Sequence, residues 1–190
     1  GEPGVGKTLL AAAVAEQLKW RPESITMDAR TESRDLLYTV DFVQRLAKAQ
    51  ILGSVAGTNF GGVANSLRIE RFVRPGILWK AFSPNTAKAA ADEFLRESRE
   101  GADPTGGLDI SATIEASRTA AKMKRVVVLL DEIDKADSDV PNGLLQVLAD
   151  GEFDAPGDWG RITVSPQSMP LVIVTSNREK DLPDAFVRRC

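Results

Sequence analysis

The first eight residues, Gly1-Glu2-Pro3-Gly4-Val5-Gly6-Lys7-Thr8, constrain this chain more than anything after them. They fit the pattern G-x-x-x-x-G-K-[ST] without a mismatch. Glycines let the backbone turn tightly, so that several N–H groups converge on one anion. Lys7 brings positive charge to the terminal phosphates, and the Thr8 hydroxyl is of the kind that ligates magnesium. A helix opening at this point also turns its positive end toward the phosphate. The motif therefore asks for a nucleoside triphosphate. Such a loop normally follows a buried strand, so an α/β fold is expected. That strand would lie before Gly1, and the chain stops at Arg189-Cys190 in what reads as the end of a short helix; the sequence reads as a fragment cut at both ends.

Thr8 to Trp20 is rich in alanine and leucine and reads as helix, with Pro22 as its stop. Ser24–Asp28 alternates in polarity, as a strand does. From Ser33 to Gln50, Leu36, Val40, Val43 and Ala47 recur at helical spacing. Gly53, Gly57, Gly61 and Gly62 read as a loop. Ile69 to Phe82 reads as a turn between apolar anchors, with Trp79 and Phe82 as packing residues. Ser83-Pro84 opens a helix to about Ser98, Gly101–Asp109 reads as a polar loop, and Ser111–Lys122 as a further helix.

The second strong signal is Arg125-Val126-Val127-Val128-Leu129-Leu130-Asp131-Glu132. An apolar run without alternation suits a strand buried on both faces of a parallel sheet. Binding groups in such sheets sit at the carboxyl ends of strands. Asp131 is thus a candidate to hold magnesium beside Thr8, and Glu132 to polarise an attacking water. Asp139 is expected to cap a helix that closes at Gly151, and Glu152–Ser165 to form a small hairpin. Leu171–Thr175 reads as a third apolar strand, and Asn177 at its tip is a candidate to orient water near the terminal phosphate. Asp181–Arg189 reads as a capped short helix ending in Arg188 and Arg189.

Composition removes several chemistries. The chain has no histidine, which excludes His-based triads and most zinc sites. Cys190 is the only cysteine, so no internal disulfide forms; this fits a reducing compartment, and a cytoplasmic location is expected. A net charge of −3 gives no general attraction to nucleic acid, which is not the expected partner. No apolar run approaches the roughly 20 residues that span a bilayer.

GEPGVGKT at Gly1–Thr8, VVVLLDEID at Val126–Asp134, VIVTSN at Val172–Asn177 and LPDAFVRRC at Leu182–Cys190 together resemble the AAA+ ATPases, and within them the MoxR-type branch. YTVDFVQRLAKAQ at Tyr38–Gln50 and RPGILWKAF at Arg74–Phe82 add to the resemblance. It implies a P-loop NTPase three-layer αβα fold whose parallel sheet has the order 5-1-4-3-2. The strand before the loop, the last strand and the helical lid would be missing, leaving the contiguous 4-3-2 half. Residues 1–190 would be one truncated core with an insertion-like helical and loop region over about 31–124. By resemblance, Gly1, Glu2, Pro3, Gly4, Val5, Gly6, Lys7 and Thr8 form the Walker A loop, Asp131 and Glu132 the Walker B pair, and Asn177 sensor 1. Arg189, with Arg188 second, would reach in trans into the neighbouring subunit's site. The implied activity is Mg2+-dependent ATP hydrolysis by a ring, a hexamer, that remodels protein partners. The alternatives are a nucleic-acid motor or GTP-using restriction-type ring ATPase, and a P-loop small-molecule kinase.

Overall fold

The computed structural model describes residues 7–55, 60–100, 110–119, 125–177 and 179–190. Helix α1 (Lys7–Leu18) ends at Lys19, whose φ of 54° turns the chain out of the helix, and Trp20 N–H reaches back to the Ala15 carbonyl at 3.0 Å. Strand β1 follows as Arg21–Thr26, three residues earlier than the polarity pattern indicates, with Pro22 inside it. Proline lacks the ladder N–H and is confined to edges or strand starts. It is tolerated here because β1 pairs on one side only among the described residues.

The helix expected over 33–50 is three elements. A 3₁₀ turn (Ser33–Leu36) leads to strand β2 (Tyr38–Val40), then to helix α2 (Phe42–Val55). Asp41 breaks the periodicity: its carboxylate accepts the Gln44 backbone N–H at 2.9 Å, an N-terminal cap where the longer helix would have run through. Glycine-rich residues expected as loop are largely helical: Gly53 lies in α2, and Gly61 and Gly62 lie in α3 (Phe60–Ser66). The expected turn over 69–82 contains a 3₁₀ turn (Ile69–Phe72), strand β3 (Val73–Pro75) and helix α4 (Ile77–Phe82). Strands β2 and β3 pair antiparallel, with Thr39 opposite Arg74.

Helix α5 (Pro84–Glu100) is followed, among the described residues, by α6 (Ile110–Thr119); the loop expected over 101–109 lies outside them. Strand β4 (Val126–Asp131) comes next, then α7 (Val140–Asp150), the hairpin β5 (Glu152–Ala155) and β6 (Gly160–Thr163), strand β7 (Leu171–Val174) and α8 (Asp184–Val187). Helix α7 closes on Gly151 at φ 65°, as expected. Asp139 occupies its N-cap position but makes no side-chain cap, and α8 likewise has no side-chain cap at Pro183; both expectations of a cap fail. At Asp139 the backbone is already helical (φ −81°, ψ −17°), whereas a capping side chain needs extended backbone to reach back to the helix.

The main sheet is parallel, in the order β1-β4-β7. Its register sets Thr26 opposite Asp131 and Leu130 opposite Val174, so three strand tips end side by side. Val126 to Leu130 are all buried, as a central strand requires. Val126, Val128 and Leu130 face a cluster that includes Leu78, Trp79, Phe82 and Leu144; Val127 and Leu129, on the other face, are buried on the side where α1 packs. Trp79 and Phe82 are packing residues. Trp79 meets Phe153 and Trp159 edge-on at 6.1 and 5.6 Å, and its indole N–H donates to the Thr86 hydroxyl at 2.8 Å. The result is a mixed α/β fold with a parallel sheet, consistent with the core of a P-loop NTPase.

Candidate functional site

Asp131 is the last residue of β4, and Thr175 follows the last residue of the neighbouring β7. Because Leu130 pairs with Val174, these two come next to each other. The Thr175 hydroxyl donates to Asp131 Oδ1 and accepts the Glu132 backbone N–H at 3.0 Å. Thr175 is 7% exposed, so both bonds are shielded from water. The ladder continues past the strand ends: Ile133 N–H donates to the Thr175 carbonyl at 3.0 Å, and Met27 N–H to the Asp131 carbonyl at 2.9 Å.

Glu132 sits in the left-handed region, φ 59° and ψ 47°. This conformation turns the chain sharply after Asp131. The Asn177 side-chain amide donates to Glu132 Oε1 at 2.7 Å, and the Lys135 ammonium lies 2.9 Å from Glu132 Oε2. Two residues that the sequence proposed separately, Glu132 and Asn177, are thus in direct contact. The Lys135 bond to Glu132 holds the ammonium above its usual pKa.

Asp134 is the buried anchor beneath them, 2% exposed. Its carboxylate accepts the backbone N–H groups of Asn177 at 3.2 Å and Glu179 at 2.8 Å. Burial by itself would raise its pKa, but these N–H groups, with that of Glu179 foremost, outweigh burial and keep it below the ordinary carboxylate value. Asp134 therefore fixes the loop that carries Asn177. Thr175, Asp134 and Lys135 were not singled out in the sequence. A threonine directly after an apolar strand was the available signal for the first.

Gly1 to Gly6 lie outside the described residues, as do the side chains of Lys7 and Thr8; the backbone of Lys7 and Thr8 opens α1. Arg188 and Arg189 lie at the C-terminal end of α8, both exposed, with their backbone N–H groups bonded to the Asp184 and Phe186 carbonyls. They are not brought to Asp131 by any contact within the chain's described residues. Among the described residues there is no cluster of three or more metal-ligating acids, cysteines or histidines. A magnesium ion does not require one: it is held through one or two protein oxygens plus phosphate oxygens and water. The carboxylate of Asp131 is a hard oxygen donor of that kind, at the carboxyl end of a parallel strand. Also among the described residues, no helix is long and apolar enough to cross a membrane.

Residues 1–58 match the family model of AAA domains of the dynein-related subfamily, and residues 112–187 match that of AAA domains of the Cdc48 subfamily. The first stretch holds the glycine-rich loop, α1 and β1; the second holds β4, β7 and the Asp131–Glu132–Asn177 group. No curated protein matches the chain. The two matches support an AAA+ ATPase core and, in general terms, a module that binds and hydrolyses ATP.

Proposed function

We propose that this AAA+ core hydrolyses ATP with Glu132 as the group that activates water, Asn177 as the group that orients it, and Asp131 with Thr8 as the protein ligands of Mg2+. The observation that carries the reading is the contact between the Glu132 carboxylate and the Asn177 amide at 2.7 Å, beside Asp131 and at the tips of adjacent parallel strands. The loop Gly1–Gly6 with Lys7 cradles the phosphates. Bound magnesium neutralises charge on the phosphate oxygens and polarises the terminal phosphorus toward attack. The chain's own residues do the rest. Asn177, tied through its backbone to Asp134, holds its amide at the attacking water. Glu132 takes the proton from that water at a carboxylate oxygen as the new phosphorus–oxygen bond forms and the bond from the terminal phosphorus to the bridging oxygen breaks; ADP leaves with that electron pair. Arg189, with Arg188 behind it, acts in trans on the phosphates bound by a neighbouring copy; its exposure at the end of α8 suits that role. A finger of this kind neutralises charge on the transferred phosphoryl and is worth about 10³–10⁵ in rate. The assembly is a ring, a hexamer of the MoxR type, that remodels protein partners, with residues 31–124 as an insertion on the ATPase core.

The test is steady-state hydrolysis of ATP and GTP by the full-length protein over a range of protein concentrations, with Glu132→Gln and Arg189→Ala alongside. Turnover should be ATP-selective and rise with concentration. Glu132→Gln should bind ATP and lose turnover by about 10²-fold or more. Arg189→Ala should also lose turnover, and regain part of it when mixed with Lys7→Ala, which lacks a competent site of its own. Normal turnover by Glu132→Gln would overturn the role of that residue. Concentration-independent turnover would overturn the shared site.

A further inference from the structure

Both oxygens of the Glu132 carboxylate have partners: Asn177 on Oε1 and Lys135 on Oε2. A carboxylate in this arrangement is parked: the ammonium takes one of the two lone pairs on Oε2, and its positive charge opposes the arrival of a proton there. The Lys135 ammonium has a second carboxylate within reach, Glu179 Oε1 at 3.8 Å. Glu179 belongs to the loop after β7, the same loop that holds Asn177, and its backbone N–H is fixed on Asp134. The Glu179 side chain is 58% exposed and that of Lys135 37%, so a rotamer change suffices to carry the ammonium from one carboxylate to the other.

We propose that Lys135 is a positioning residue: it holds Oε2 of Glu132 out of use and releases it by passing to Glu179. The inference rests on Glu132 being the water-activating group. Nothing covalent happens in the step; one ion pair replaces another, and Oε2 is freed of the ammonium charge that opposes proton transfer from water. Movement of the loop after β7 toward Lys135 favours release, and movement away favours parking. The loop runs on to α8, which carries Arg188 and Arg189, so the state of the base is connected through one lysine to the arginine-bearing helix.

The test is steady-state ATP hydrolysis by the full-length protein as Lys135→Met, Glu179→Gln, the double variant and Lys135→Arg. A partly exposed ion pair changes an equilibrium by a modest factor, so the expected effects are about two- to fivefold. Lys135→Met should raise kcat by that factor with KM unchanged. Glu179→Gln should lower kcat by a similar factor, because a glutamine has no charge to draw the ammonium away from Glu132. The double variant should behave as Lys135→Met alone, and Lys135→Arg should return turnover toward that of the parent. A merely structural lysine would give no rise in kcat and no such epistasis. Unchanged or lowered kcat in Lys135→Met overturns the inference, as do additive effects in the double variant. Should Lys135→Met fail to fold, Glu179→Gln decides, since the altered side chain is largely in solvent: unchanged turnover overturns the proposal. Glu132→Gln separates the two levels. If it is inactive while Lys135→Met gives no rise, the lysine inference alone fails; if it retains turnover, the function reading fails beneath it.

Discussion

Replacing Thr175 by valine preserves volume and removes one hydroxyl, which makes it a clean probe of how the two strand tips are joined. Two bonds are lost: one donated to the Asp131 carboxylate, and one accepted from the Glu132 N–H at 3.0 Å. A bond to a charged group contributes about 1.5–3 kcal/mol and a neutral one about 0.5–1.5 kcal/mol. Their sum, roughly 2–4.5 kcal/mol, is expected in full because Thr175 is buried and water cannot readily replace the hydroxyl. For a chain of this size that lowers Tm by roughly 4–18 °C. Thr175→Ser keeps the oxygen and loses a methyl, which costs only about 0.8 kcal/mol. Denaturant titration and thermal melting of the full-length protein measure the difference. In parallel, ATP turnover should fall by about tenfold or more in the valine variant, because Asp131 and Glu132 lose a shared anchor at the reacting centre. A valine variant that matches the parent in both melting and turnover would refute the reasoning.

Gly76→Ala is expected to destabilise by about 2–4 kcal/mol. An added Cβ would lie 2.5 Å from the backbone carbonyls of Asp35 and Leu36, and neither can move away as a side-chain tip would. Melting checks this; a loss below about 0.5 kcal/mol would show that the 3₁₀ turn shifts freely. Glu70 carries a pH dependence. Burial pushes its pKa up, but the Arg68 guanidinium at 3.1 Å and the Asp158 N–H at 2.7 Å prevail and hold it below its ordinary 4.5. A folded pKa below the unfolded one gives stability that is present above pH 4.5 and is lost as pH falls through the folded value. Glu70→Gln should therefore melt below the parent at neutral pH, and the gap should narrow on acidification below 4.5. A gap that widened in acid would reverse the assignment.

Two strands of the sheet, β4 and β7, were legible because each announces itself locally as an apolar run. Val126–Leu130 is apolar throughout, and burial on both faces follows from that alone. The region from Ser33 to Phe82 was harder. Leu36, Val40 and Val43 share helical spacing by coincidence, since they belong to a 3₁₀ turn, a strand and a helix in turn. What decides between the readings is the pairing of β2 with β3, more than thirty residues away along the chain. The one local clue was Asp41, three residues before Gln44 at the start of α2. Pro22, read as the stop of the first helix, lies inside β1, where a strand paired on one side among the described residues can do without its N–H. Asp131, Glu132 and Asn177 could be picked out individually at strand tips. The Thr175 bonds to Asp131 and Glu132 exist only once β4 and β7 are in register, and the Lys135 pair with Glu132, three residues away, forms only because Glu132 leaves the strand.

Register also explains how two adjacent carboxylates come to do different work. Asp131 ends a regular strand and keeps its place through the Thr175 hydroxyl, while Glu132 turns into the left-handed region one residue later. For a residue other than glycine that conformation costs about 1–2 kcal/mol. It persists because the backbone on either side is held: Glu132 N–H by the Thr175 hydroxyl, Ile133 N–H by the Thr175 carbonyl, and the Asp131 carbonyl by Met27 N–H. Were Glu132 to continue the strand, its side chain would point to the opposite face from Asp131. The left-handed turn instead brings its carboxylate to Asn177 and Lys135. The strain at Glu132 is thus tied to the geometry of the site, and the bonds that sustain it come from Met27 and Thr175, the residues just past β1 and β7, the two strands beside β4.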